Sequence, residues 1–268
     1  MLKIVVAGPI PYDHIETYMG VSMEQYGCIL YPTMALASLL SPPSTIYPVT
    51  NVGYEDKPVL ERLLGLHPHI DLSGLRATQE GTDMIFLKYI SESERLEKQV
   101  NKMKPITYED MEPFVKSDAF IFVPVTDFEV PFETIKKLKE KSSSIILFDA
   151  HGPTNTIDEN SNRIQQVWSD IEQWLRYIDV LKMNEVEAEY AAGVKLAEEK
   201  ELVETAKKWV SKGPSQVVIT LGRRGALTVY KDGEDIYSIH VPPVRVEKVV
   251  DTTGAGDSFA AGYVYGLL

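Results

Sequence analysis

The sequence predicts an α/β protein, a doubly wound, mainly parallel sheet with helices on both faces. Two observations lead there. Runs rich in Val, Ile and Phe recur at 3–7, 45–50, 84–90, 119–123, 145–149, 180–183 and 217–221. Several are apolar almost throughout, as strands buried on both faces of a parallel sheet must be. Helical spacings lie between them, and this alternation is the pattern of a doubly wound sheet. Residues 33–40 read as a helix, and 131–141 as one opened by Pro131 and closed by lysines, which suits the helix dipole. Residues 163–177 read as a helix with Ile164, Val167, Trp168, Ile171 and Leu175 on its apolar face, and 201–210 as one with Leu202, Val203, Ala206, Trp209 and Val210. Two inserts, 14–27 and 82–104, break the alternation. No repeat or linker divides the chain, so 1–268 reads as one domain.

Composition narrows the function. The 268 residues are 44% hydrophobic and 25% charged, with a formal net charge of −12. That charge repels a phosphate backbone, so nucleic acid is not an expected partner. An anionic ligand would need a locally positive site of backbone N–H groups, a metal ion or a few basic side chains. One cysteine, Cys28, permits no intrachain disulfide. The first apolar run is too short for a signal peptide, and no stretch reaches the roughly 18 apolar residues of a membrane helix. A cytoplasmic location without a membrane partner is the expectation.

The chemistry concentrates near the C-terminus, in Val250-Asp251-Thr252-Thr253-Gly254-Ala255-Gly256-Asp257-Ser258. Small residues at 254–256 let the backbone turn tightly and approach a ligand. Apolar groups at helical spacing follow, so the turn opens a helix whose first N–H groups are unpaired and form an anion site. Asp257 falls in the first turn beside that anion. A carboxylate there is repulsive unless it accepts the proton of an attacking hydroxyl, while the amides stabilise charge on a transferred phosphoryl group. The blander reading is a capping aspartate on a structural helix.

This string resembles the D-T-x-G-A-G-D signature of the ribokinase, or PfkB, family of carbohydrate and nucleoside kinases. The resemblance implies an ATP- and magnesium-dependent phosphotransferase acting on a hydroxyl of a small sugar or nucleoside. It assigns Asp257 as catalytic base, Gly254, Ala255 and Gly256 as the anion hole, and Asp251 and Thr253 as ligands of a possible potassium ion. It also implies a small β lid, for which 14–27 and 82–104 are the candidates and through which two copies could pair. Asn184 and Glu187 match the family's N-x-x-E, which organises magnesium through water; three apart at a helix start, they share a face. Alone, that pattern is more often a helix cap. Thr220, Gly222 and Gly225 match a T-x-G-x-x-G segment lining the nucleotide site, with Arg223 and Arg224 as phosphate contacts or solvated turn residues. Asp149, Asn162, Arg163 and Trp168 resemble a D-x-N-x-R-x-x-W region spread over a longer loop.

Substrate recognition is assigned to Asp13, which follows Gly8 as in the family's G-x-x-x-x-D, and to Gly27 and Gly53. A carboxylate accepting two hydroxyl hydrogen bonds reads a polyol well. The family's paired glycines and following asparagine are incomplete: Cys28-Ile29-Leu30-Tyr31-Pro32 follows Gly27 and makes that wall bulkier. Family members also continue for a few dozen residues past the position of Leu268. These departures keep open a second expectation, a catalytically impaired relative that binds a sugar or nucleotide in a regulatory role. A dinucleotide-binding dehydrogenase is disfavoured because Gly8-Pro9-Ile10-Pro11 replaces G-x-G-x-x-G, and a Walker kinase because G-x-x-x-x-G-K-S/T is absent.

Overall fold

The computed structural model describes residues 1–91, 95–247, 249 and 252–268. Fifteen strands are named in chain order: β1 Lys3–Ala7, β2 Tyr12–Glu16, β3 Ser22–Tyr26, β4 Thr45–Gly53, β5 Leu75–Thr78, β6 Met84–Tyr89, β7 Arg95–Asn101, β8 Ala119–Phe122, β9 Ile145–Asp149, β10 Asn155–Ile157, β11 Arg163–Gln165, β12 Val180–Asn184, β13 Gln216–Thr220, β14 Ala226–Asp232 and β15 Asp235–Val241. Nine form one sheet in the order β15-β14-β13-β12-β9-β8-β1-β4-β5. From β5 to β13 every pairing is parallel; β14 and β15 join antiparallel at one edge.

Side-chain alternation builds two cores on the sheet's faces. Val5, Ala7, Phe120, Phe122 and Phe148 pack with Trp168, Trp174 and Trp209 on one face. Ile4, Val6, Ile46, Ile121 and Leu147 point the other way, onto Leu36, Ala260, Ala261 and Val264. Burying each such aliphatic or aromatic side chain stabilises by roughly 1.5–3 kcal/mol. The helices Leu30–Leu39 and Ala255–Leu267 pack against each other over this second face. The parallel strands end together, so Gly8, Gly53, Asp149, Asn184 and Thr220 gather along their carboxyl edge. Open α/β sheets place ligands at that edge.

The inserts supply a separate four-stranded sheet, β3-β2-β6-β7. β2 pairs parallel with β6, and the two outer pairings are antiparallel.

Two expectations need correction. Residues 163–177 are not one helix. β10 and β11 form an antiparallel hairpin, the Gln166 N–H donates to the Thr154 carbonyl at 2.9 Å, and the helix spans only Ile171–Trp174 before a tighter turn at Leu175–Tyr177. Turn chemistry overrides the periodicity: the Asp158 carboxylate accepts from the Asn160 and Asn162 amides, each at 2.8 Å, and closes the hairpin. Ile164 and Val167 are exposed while Trp168, Ile171 and Leu175 are buried, so the apparent stripe is split between the hairpin and the core. Pro131 is the cap before the helix Phe132–Lys141 rather than its first residue.

Candidate active site

The C-terminal helix begins at Ala255, capped by Gly254 in the left-handed region with φ 71°. A side chain there would be strained. It would also strike Tyr31: a methyl on Gly254 would lie 2.5 Å from Cδ2 and 2.6 Å from Cδ1 of that ring. The Ala255 N–H donates to the Thr252 carbonyl at 3.1 Å and the Ser258 N–H to the Gly254 carbonyl at 2.8 Å. Between them, the Gly256 and Asp257 amides meet no acceptor among the described residues. These are the orphan donors of a helix start, free to hold an anion. Thr253 is exposed in the preceding turn; Asp251 lies outside the described residues.

Beneath this turn lies a buried ion pair. Lys182, in the middle of β12, places its ammonium 2.6 Å from Asp149 at the end of β9. A methyl on Gly256 would lie 3.1 Å from the Lys182 Nζ, so the lysine abuts the anion turn. Burial by itself lowers the Lys182 pKa, but Asp149 and Glu187 outweigh it and hold it above the ordinary lysine range. Burial raises Asp149 while Lys182 opposes it. At this separation we assign a charged pair. Asp257 is pushed up to about 6, first by burial and then by Asp149; Lys182 and His151 pull the other way. Ionised at neutral pH, it is poised to accept a proton.

On the donor side, Asn184 caps the helix Glu185–Ala192. Its side chain accepts from the Glu187 N–H at 2.8 Å, and the Glu187 carboxylate accepts from the Asn184 N–H at 2.7 Å. The other Glu187 oxygen meets His151 Nδ1 at 2.8 Å, and His151 Nε2 meets the Arg163 guanidinium at 2.9 Å. Arg163 can only donate, so His151 accepts at Nε2 and donates from Nδ1, the neutral tautomer. Burial lowers the His151 pKa and Glu187 raises it, for a net rise; the Arg163 bond opposes that rise, and we follow the hydrogen-bond geometry. His151, partly exposed here, and Lys182 are residues the sequence reading passed over. A lysine inside the apolar run Val180-Leu181-Lys182-Met183 was the available signal.

Thr220 is the register partner of Asn184 on β13, and Gly222 and Gly225 follow with φ 56° and 97°. Arg224 pairs with Glu185 and, at 3.9 Å, Glu199, whereas Arg223 is exposed. Of the looser matches, Asn162 bonds Asp158 in the hairpin turn, Arg163 pairs with Glu97 of β7 at 3.0 Å, and Trp168 is core.

On the acceptor side, Asp13 of β2 is buried, and its carboxyl is pushed up to about 7 by burial, opposed by Arg163. A methyl on Gly27 would lie 2.5 Å from Asp13 Oδ2. Gly53 ends β4, where its N–H donates to Thr82 Oγ1 at 2.8 Å and Asp56 lies close by. Cys28 takes the left-handed region with φ 48°, and its buried thiol donates to the Val123 carbonyl at 3.2 Å. Burial raises the thiol's pKa, and the largest charge acting on it is Asp257, with Asp13 among the others.

A carboxylate with a raised pKa beside open amides and a buried ammonium is an arrangement able to accept a proton next to a bound anion. Residues 146–268 match the model of the pfkB family of carbohydrate kinases. Over those residues, a little under half of its length, the chain resembles the PfkB family. It is 45% identical over 89 residues to the 1-phosphofructokinase of Escherichia coli strain K12, covering 33% of this chain and 27% of that protein. It is 30% identical over 140 residues to the ribokinase of Staphylococcus aureus strain COL, covering 52% and 41%. The matched stretches thus span well under two thirds of these relatives. Similar folds include a pyrophosphate-dependent kinase of the ribokinase family (TM-score 0.80, 21% identity, covering 98% of this chain and 87% of that one). Arabidopsis thaliana ribokinase complexed with ribose and ATP is another (TM-score 0.76, 20% identity, 100% and 86%). The ribokinase-like fold is shared along the chain, including the small sheet. Among the described residues, no helix is long and apolar enough to cross a membrane.

Proposed function

We propose that this protein phosphorylates a hydroxyl of a small sugar or nucleoside-like molecule, with ATP as donor. The observation that carries the reading is the juxtaposition of Asp257, with its raised pKa, and the open amides of Gly256 and Asp257. Asp13 holds the acceptor through its other hydroxyls. Asp257 accepts the proton of the attacking hydroxyl as the acceptor oxygen bonds to the γ-phosphorus and the bridging oxygen leaves with the rest of the nucleotide. The Gly256 and Asp257 amides, rather than that of Ala255, whose N–H is taken by the Thr252 carbonyl, act with the Lys182 ammonium to stabilise charge on the transferred group, a preorganised arrangement that supplies most of what phosphoryl transfer needs. Asn184 and Glu187 fit a magnesium ion held through water, since their oxygens still carry lone pairs, and that ion would neutralise donor phosphates. Thr253, with Asp251, is the proposed potassium site. Thr220, Gly222 and Gly225 line the nucleotide side, and Gly27 and Gly53 the acceptor side. The small sheet serves as the lid, and exposed Phe86, Leu96 and Val100 make it the face for pairing with a second copy.

A second reading is a relative that binds without turnover. It is favoured by the Glu187 carboxylate being engaged by both Asn184 and His151. Product formation over a panel of sugars, cyclitols and nucleosides separates the two, with ATP and, because a similar fold uses it, pyrophosphate as donors. Phosphorylation of any member supports the kinase. Ligand-induced thermal stabilisation without product under either donor would support the binder.

A further inference from the structure

Tyr31 stands where the acid that would hold the acceptor, the anion turn and the small sheet come together. Its ring packs on Gly254. The edge at Cε2 lies 3.7 Å from where a methyl on Gly27 would sit, and that same point is 2.5 Å from Asp13 Oδ2. The phenol oxygen accepts from Gln25 Nε2 of β3 at 3.1 Å. One aromatic ring therefore fills the space between the Asp13 and Gly254 sides of the site. Cys28 closes the same wall, its thiol fixed on the Val123 carbonyl.

We propose that Tyr31 is the residue that sets acceptor size, restricting the site to single-ring polyols of a pentose's or cyclitol's dimensions and rejecting nucleosides. This rests on the kinase reading above. An acceptor gripped by Asp13 must place one hydroxyl at Asp257 while passing Tyr31, and a second ring on the Tyr31 side collides with the phenol. Because the phenol is tied to β3, moving the small sheet also moves this wall.

The test compares kcat/KM for ribose and inosine in the unmodified protein and in Tyr31→Ala, Tyr31→Leu and Tyr31→Phe. Pocket volume is worth about 10–200-fold in discrimination per small group. The inosine-to-ribose ratio should rise at least about tenfold in Tyr31→Ala and by less in Tyr31→Leu. Tyr31→Phe keeps the ring and should leave the ratio within about threefold, which separates filled space from the lost Gln25 bond. If Tyr31→Ala does not fold, the Leu variant carries the comparison. Ratios unchanged in every folded variant, or inosine already preferred by the unmodified protein, would overturn the size limit while leaving the kinase reading intact. No phosphorylation of either sugar or nucleoside panel members by the unmodified protein would remove both.

Discussion

Replacing Lys182 with methionine should destabilise the protein far more than losing a surface charge. The ammonium sits 2.6 Å from Asp149, and both side chains are almost wholly enclosed, at 6% and 1% exposure. Methionine fills similar volume, so the main effect is a carboxylate left buried without its partner. Breaking such a pair costs about 3–5 kcal/mol, because the stranded charge keeps its desolvation penalty. For a chain of this size each kcal/mol lowers Tm by about 2–4 °C, so the fall should be about 6–20 °C. Adding Asp149→Asn removes the stranded charge while an amide oxygen can still accept the His151 N–H that Asp149 accepts at 3.1 Å. The double variant should therefore recover most of the loss, with a coupling energy of at least about 2 kcal/mol in a double-mutant cycle. Urea unfolding of the four proteins measures it. A Lys182→Met penalty under about 1 kcal/mol, or strict additivity, would refute the buried pair.

Two further outcomes follow from the raised carboxyls. Asp13 rises from 3.8 to about 7 on folding, so its contribution to stability is fully present below the unfolded value and lost as pH climbs through 7. Asp13→Asn should thus raise Tm at about pH 8, by at most about 4 kcal/mol of stability, with little effect near pH 3 and weakened acceptor binding throughout; a loss of stability at pH 8 would contradict this. Because Asp257 must be ionised to accept a proton and its pKa is about 6, kcat/KM should fall on the acid side of neutrality. Asp13 would steepen the fall, and a profile flat from about pH 5 to 8 would rule out Asp257 as the titrating base.

The doubly wound sheet was legible because burial on both faces writes near-continuous apolar runs; 3–7 and 145–149 match their strands end to end. The edge hairpin β14–β15 was not, since Tyr230, Tyr237 and Ile239 alternate with polar residues on a partly solvated face. The glycine turn and Asp257 were legible because backbone geometry demands those residue types in sequence. Lys182 and His151 were not, because their meaning comes from partners 33 and 36 positions away (Asp149 and Glu187), contacts that only the fold creates; Tyr31 was legible as part of a bulkier wall, but not its contact with Gly254, 223 positions on. Glu187 shows the limit from the other side: N-x-x-E proved to be a capping box, and only its neighbours His151 and Lys182 mark it as more than a cap.

The most direct measurement is the phosphoryl-transfer rate of Asp257→Asn, taken on protein shown to be folded and to bind nucleotide. Asparagine keeps the shape of the side chain and removes its capacity to take a proton. A fall of at least about a hundredfold is the expected result. Turnover near that of the unmodified protein would mean that the hydroxyl loses its proton elsewhere and that the role given to this carboxylate is wrong.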